Sequence, residues 1–395
     1  MSARLFTHPV RHLYGTAARI ALSIVLLITM TGCWSSKSIQ VQGYATALGI
    51  DYKEGMFTVY VQLLDFSSIA KKEGAVLNPE AAVWVGKGMG RTLNDAVNDV
   101  YKTSQLSLFW GHITAIVLSE SVLMEKGILV ADMLVRYPEI RYNAWLYGTR
   151  EPIDKLLSAT PLFRLSPLDS ILHHPEDSYK QYSMFKPILF FKYISDFKEE
   201  AVSAFLPSLA LNNTQWKENE KEHPLLTIDG AFVESDRQVK GFMPRSKLLG
   251  YHWMEPKMYR APLPVIKDGV VYGQLSVMLT KLKIKPVVQG STVKFRVKAK
   301  YLAGMYEYDT PISAEEMTQI ASDTIKKEIM ETYEKALAKE VDIYNLEERL
   351  YRKNPTKWHE LTDNGKHLFL DKQSIEKLDL KLDIVYNGKH KRVME

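Results

Sequence analysis

The chain has 395 residues, 25% of them charged and 46% hydrophobic, which is the usage of a folded protein and excludes collagen-like or wholly disordered classes. Its formal net charge is +5, and three of the cations, Arg4, Arg11 and Arg19, stand in a leading segment without a single acid. From Cys33 onward 48 basic and 46 acidic residues leave a formal +2, a near-neutral balance that argues against nucleic acid, whose partners need a concentrated basic face.

Behind the basic head, Ile20 to Met30 is an apolar run broken only by Ser23 and Thr29. A spanning helix needs about 20 apolar residues, so this shorter run reads as the core of an export signal that is removed, residues 1–32. Cys33 follows directly and is the only cysteine, so it has no partner for an intramolecular disulfide. Met30-Thr31-Gly32-Cys33 resembles the bacterial lipoprotein box, with Met30 where Leu is usual. The resemblance implies lipidation of Cys33 with a diacylglyceryl group, and two chains anchor firmly where one does not. The mature protein is then expected to be anchored and not to span.

Val41 to Asp51 and Met56 to Leu64 are rich in Val, Tyr, Thr and Leu around Tyr52-Lys53-Glu54-Gly55, the pattern of a β-hairpin. A polar loop over 67–80 precedes a short strand, Ala82 to Val85. Gly86, Gly88 and Gly90 then read as a tight turn. Their G-x-G-x-G spacing matches neither the dinucleotide fingerprint nor the phosphate loop, so no nucleotide site is assigned. Thr92 and Asp95 form a capping box for a helix carrying Leu93, Ala96, Val97, Val100 and Tyr101. His112 heads the next apolar run and has no nucleophile or carboxylate at a diagnostic spacing, so its expected role is structural. A helix over Ser121 to Arg136 carries Leu123, Ile128, Leu129, Met133 and Leu134. A strand at Tyr142 to Tyr147 and a short helix at Glu151 to Ala159 complete an alternating α/β stretch.

Further on, His173-His174 with Glu176 and Asp177 invites a metal reading, but neighbouring residues on a helix face different ways, and both histidines are expected at the surface. Phe185 to Phe197 is the most apolar stretch of the mature chain, either a core helix or a partner-facing or membrane-surface one. Residues 201–250 read as β, with a hairpin turning at Asp236-Arg237, and Pro262 and Pro264 mark a linker. Val270 to Ile284 and Thr292 to Leu302 alternate as half-solvated antiparallel strands do, with a turn over Pro286 to Gly290. Ser313 and Glu316 cap the longest helix, whose Met317, Ile320, Ile325, Ile329, Tyr333, Leu337 and Val341 recur on one face. Its carboxylates form a solvated side and not a paired acid site. Leu378 to Tyr386 is the closing strand.

The expected fold class is therefore α+β: mixed sheets with helices on one face, and a long C-terminal helix packed on an antiparallel sheet. The expected division is an N-terminal α/β domain over 33–197, a small β-rich middle domain over 198–262 and a C-terminal α+β domain over 263–395.

The order of several short motifs resembles the Ger(x)C lipoproteins, the C subunits of spore germinant receptors. These motifs are Cys33-Trp34, Gly49-Ile50-Asp51, Gly90-Arg91-Thr92, Leu108-Phe109-Trp110-Gly111-His112, and Asp132 with Arg136 and Arg141. Pro207, Gly230-Ala231-Phe232, Val239-Lys240-Gly241-Phe242, Trp358, Val385 and Gly388 continue the series. Val341 to Glu347 and Ser35-Ser36 depart from the family pattern. The resemblance implies a non-catalytic subunit without cofactor or metal, held by Cys33 at the outer face of the spore inner membrane. There it assembles with the receptor's two membrane subunits, A and B, to trigger germination; direct contact with the germinant is left open. The rival class is a solute-binding or cell-wall-active lipoprotein. A hydrolase of that class needs a nucleophile with its base, a zinc spacing or a tuned carboxylate pair.

Overall fold

The computed structural model describes residues 19–24, 42–64, 83–309 and 311–386. The chain divides into two compact units, Met1–Gln42 and Gly43–Glu395. In the first, residues 19–24 are helical and exposed, within the expected export segment. Cys33 and the polar loop over 67–80 lie outside the described residues.

The second unit opens with the predicted hairpin. Strands β1 (Gln42–Lys53) and β2 (Met56–Leu64) pair antiparallel, and Glu54 and Gly55 turn the corner with φ of 53° and 80°. The next strand, β3 (Val83–Gly90), runs through the three glycines, so they are not the expected turn. They lie two apart on one side of β3, beneath helix α1 (Leu93–Tyr101), where a Cβ at Gly88 would come within 2.2 Å of the Ala96 carbonyl and one at Gly90 within 2.4 Å of the Ala96 nitrogen. The period-2 spacing thus encodes close approach of helix to strand, with extended backbone throughout. Thr92 caps α1, its hydroxyl accepting from the Asp95 N–H at 3.1 Å.

Strands β4 (Ser107–Phe109), β5 (Ala115–Ser119), β6 (Trp145–Thr149), β7 (Ala204–Asn212), β10 (Leu225–Ser235) and β11 (Gln238–Pro244) complete a nine-stranded sheet. Its order is β11-β10-β7-β6-β5-β1-β2-β3, with β4 also on β1. The central neighbours β1, β5, β6 and β7 pair parallel, and the flanking ones antiparallel. The strands of 198–262 therefore continue the N-terminal sheet instead of forming their own. Main-chain donors of β6 and β7 are satisfied across that boundary. The connection from β7 to β10 carries a short ribbon, β8 (Lys217–Glu218) with β9 (Lys221–Glu222).

One face of this sheet packs Leu48, Ile50, Val59, Ile116, Leu206 and Phe232 against α1, α2 (Glu120–Arg136) and α5 (Phe190–Lys198). On the other, Ala47, Val117, Tyr147 and Leu209 meet α3 (Ile153–Leu157) and Leu172, just before α4 (Pro175–Gln181). Within α2 the buried residues are Val122, Leu123, Val130 and Leu134, whereas Met124, Ile128 and Leu129 are exposed.

The C-terminal layer has strand order β12-β13-β14-β15: β12 (Ala261–Lys267), β13 (Val270–Gln289), β14 (Thr292–Tyr308) and β15 (Ile375–Tyr386). The first three are antiparallel and β15 joins parallel to β14. The chain turns at Gly290-Ser291, and β13 runs straight through Pro286, where a turn was expected. Beyond Val277 no described strand pairs with β13 on its β12 side, so the proline's missing donor falls outside a strand ladder. Helix α6 (Ala314–Leu337) crosses the inner face with Met317, Ala321, Ile325, Ile329, Tyr333 and Ala336 buried. Its first turn is capped by Ser313, whose hydroxyl accepts from the Glu316 N–H at 3.1 Å. Short helices α7 (Leu346–Lys353) and α8 (Pro355–Thr362) lead to β15.

Candidate functional site

Of the residues singled out in the sequence, His112 packs its ring edge-on against Tyr44 and Phe109, with centroids 5.1 and 5.4 Å away. His174 is exposed, Asp177 pairs with Lys180 at 2.9 Å, and no group of three metal-type ligands occurs among the described residues. His173 is not at the surface as expected but 3% exposed. Its Nε2 lies 2.9 Å from the Gln62 Oε1 and its Nδ1 2.6 Å from the Thr114 hydroxyl. Gln62 in turn donates to the Leu157 carbonyl at 2.7 Å and accepts from Thr46 at 2.8 Å. Because Gln62 Oε1 only accepts, the proton belongs on Nε2 and Nδ1 accepts from Thr114. Burial holds His173 neutral, its pKa lowered to about 3. The network ties the 160–173 stretch to the sheet, a packing role.

The segment 341–347, marked in the sequence only as a departure from the family pattern, holds two acids that the sequence did not single out. Asp342 and Glu347 are both buried, at the junction between α6 and α7. The Asp342 Oδ2 accepts from the Glu347 N–H at 2.7 Å. The Glu347 carboxylate accepts from the Phe369 N–H at 3.1 Å and from the Trp358 indole at 3.3 Å. Burial first, and then the Asp342 charge, push the Glu347 pKa up to about 8, while burial raises Asp342 to about 6. Burial and mutual repulsion thus both favour keeping a proton on the pair. A third buried acid, Glu234 on β10, is raised by burial to about 7 and accepts from the Tyr193 hydroxyl.

The 342–348 segment also lies between two cavities. Glu347 and Trp358 line one of about 260 Å³ with Glu200, Asp236 and Arg237. Ile343, Tyr344, Asn345 and Glu348 line a groove of about 650 Å³ where the two sheets meet. Asn345, in left-handed backbone with φ 51°, accepts from the Ser203 N–H at 2.8 Å and so stitches the segment to the lead-in of β7. Across the groove Phe205 and Tyr251 stack with centroids 4.0 Å apart, and Lys186 pairs with Glu255 at 2.9 Å. The lining holds cations and carboxylates over an aromatic floor, with neither histidine nor cysteine. Such a groove suits a polar ligand or a peptide segment, and the joint beside it carries ionisable groups that respond near neutral pH.

Comparison with known proteins assigns both halves of the chain. Residues 35–211 match the family described as "Spore germination protein N-terminal domain", and residues 229–382 match "Spore germination B3/ GerAC like, C-terminal". Spore germination protein KC of Bacillus subtilis (strain 168) is 20% identical over 383 residues, covering 90% of this chain and 92% of that protein. Spore germination protein B3 of the same organism is 21% identical over 305 residues, 75% of this chain and 76% of that protein. A solved structure titled "Crystal Structure of the GerBC protein" aligns with a TM-score of 0.46 and 15% identity, over 86% of this chain and 96% of that one.

Proposed function

This chain belongs to the Ger(x)C family of spore germination proteins, and from that premise we propose that it is a lipid-anchored, non-catalytic subunit of a nutrient germinant receptor. Cys33 holds it at the outer face of the spore inner membrane, where it assembles with the receptor's A and B membrane subunits. The observation that carries this reading is the extent of the match: the family's N-terminal domain begins at residue 35, two residues behind Cys33, and its C-terminal domain runs to 382. The exposed Met124, Ile128 and Leu129 on α2 support a role through contacts, because clustered apolar side chains in water mark interaction surfaces. A second reading, capture of a small solute, is favoured by the 650 Å³ groove alone.

The test is co-purification of the membrane subunits from spores, alongside the germination response. Cys33→Ala should leave the precursor unprocessed or shed the protein from membranes, and Ile128→Glu should reduce co-purification at unchanged melting temperature. A Cys33→Ala protein that is processed, acylated and membrane-bound like the parent would overturn the anchor. Full germination without co-purification would overturn the subunit role.

A further inference from the structure

The outer face of the C-terminal sheet carries charge in a pattern that the overall balance conceals. Cross-strand partners on this face are Lys281 with Lys300, Lys283 with Lys298, and Lys285 with Arg296. The parallel neighbour β15 adds Lys377 beside Arg296, Asp379 beside Lys298 and Lys381 beside Lys300. Like charges opposite one another on a sheet cost stability, so three consecutive cationic pairs are not a packing solution. Eight cations face three acids, Glu376, Asp379 and Asp383, a formal +5. The acids pair with Arg296 at 2.7 Å, Lys298 at 3.3 Å and Lys381 at 3.1 Å, leaving Lys281, Lys283, Lys285, Lys300 and Lys377 without an ion pair among the described residues. Since the mature chain is formally +2, the rest of it carries −3. The concentrated basic face that composition seemed to exclude is present, written as lysines two residues apart and not as a run.

From this we infer that the outer face of β13, β14 and β15 docks on an anionic phospholipid surface. Three features select lipid over another polyanion. The cations stand off one face of three hydrogen-bonded strands about 4.8 Å apart, an ordered array that suits a layer of headgroups. None of the eight positions is flanked on this face by an aromatic platform on which bases could stack. The basic rows also run directly into exposed Met278, Leu302 and Val385, a mixture of cations and apolar tips that suits a bilayer interface. The choice of lipid rests on the anchor reading above: eight residues separate Cys33 from the start of β1, a reach of about 30 Å at full extension, which keeps the body near the membrane at high effective concentration.

The experiment uses residues 33–395 with Cys33→Ser, which contain the whole 43–395 compact unit and no acyl chain, so binding is read independently of acylation. Co-sedimentation is measured with vesicles of phosphatidylcholine containing about a third phosphatidylglycerol, and with phosphatidylcholine alone. The chain should bind the anionic vesicles only, and release as sodium chloride is raised, since exposed charges are screened. At about 1 kcal/mol per lysine near such a surface, Lys283→Gln with Lys298→Gln and Lys300→Gln should lower partitioning about a hundredfold. Lys326→Gln with Lys327→Gln and Lys335→Gln, on the solvent side of α6, should leave it within about twofold; melting curves confirm that both triples fold. Equal binding to neutral vesicles, no binding to anionic ones, or equal loss in both triples overturns the inference. So does capture of an acidic polypeptide or nucleic acid probe, dependent on the same lysines, by a chain that ignores vesicles. Failure of the anchor reading is seen separately, as an absent lipid mass on Cys33 of the exported protein.

Discussion

In the nine-stranded sheet, helices and loops cover both faces, and its inner strands β1 and β5 read as nearly unbroken apolar runs. In the four-stranded sheet α6 covers one face only, and β13 to β15 alternate apolar with charged. The buried polar groups differ as well. The first layer buries a neutral, fully bonded His173 and a single carboxyl, Glu234 on β10, whereas the second buries two carboxyls, Asp342 and Glu347, within one short segment. The first layer is covered on both faces, and the second keeps one face open.

The contrast should break first in the sealed layer. Phe232 on β10 is fully buried beside Phe242, and a Cβ at Gly148 would come within 2.3 Å of its ring. Phe232→Ala is expected to cost about 3–5 kcal/mol in urea unfolding, since so tight a site cannot collapse around the loss. A smaller break comes from His173→Ala, which strands Gln62 and Thr114 and should cost about 1–3 kcal/mol, while exposed His174→Ala stays within about 0.5 kcal/mol. Equal costs for the two histidines would show that the network adds nothing.

The contrast sharpens with pH. A carboxyl whose folded pKa is raised binds its proton more tightly folded than unfolded, so the stability Glu347 contributes is fully present below about pH 4.3 and is lost as pH rises from there to its folded value of about 8. His173, lowered to about 3, works in the other direction, losing stability as pH falls below about 6.5. Between about pH 6.5 and about pH 8 the stability of the wild-type protein in urea unfolding should therefore fall, by at most about 1.4 kcal/mol per pH unit for this proton. Glu347→Gln should flatten that fall, and an unchanged slope would place the titrating group elsewhere.

Local chemistry made much of this fold readable from sequence. The caps at Thr92 and Ser313, the first hairpin and the apolar face of α6 all follow from near neighbours in the chain. Misreadings arose where a distant partner decides the meaning. Gly86, Gly88 and Gly90 look like a turn until α1 is laid over them, and His173 looks like a surface residue until Gln62, 111 residues away, reaches it. The strands after residue 198 look self-contained until β7 pairs with β6. Of the candidate site, the sequence flagged only that Val341 to Glu347 is unusual. That two of those acids are buried depends on Trp358 and Phe369, which nothing local announces.

The parallel pairing of β14 with β15 carries a consequence for biogenesis. Phe295 meets Ile375 and Met305 meets Tyr386, partners about 80 residues apart with α6, α7 and α8 between them. Long-range parallel pairing forms slowly, because the loop must close before its contacts repay the closure. During synthesis β14 therefore presents an open hydrogen-bonding edge until β15 has emerged, and a product truncated before residue 375 keeps that edge for good. Export in an unfolded state, with folding only after the whole chain has crossed, would keep such edges of neighbouring chains apart.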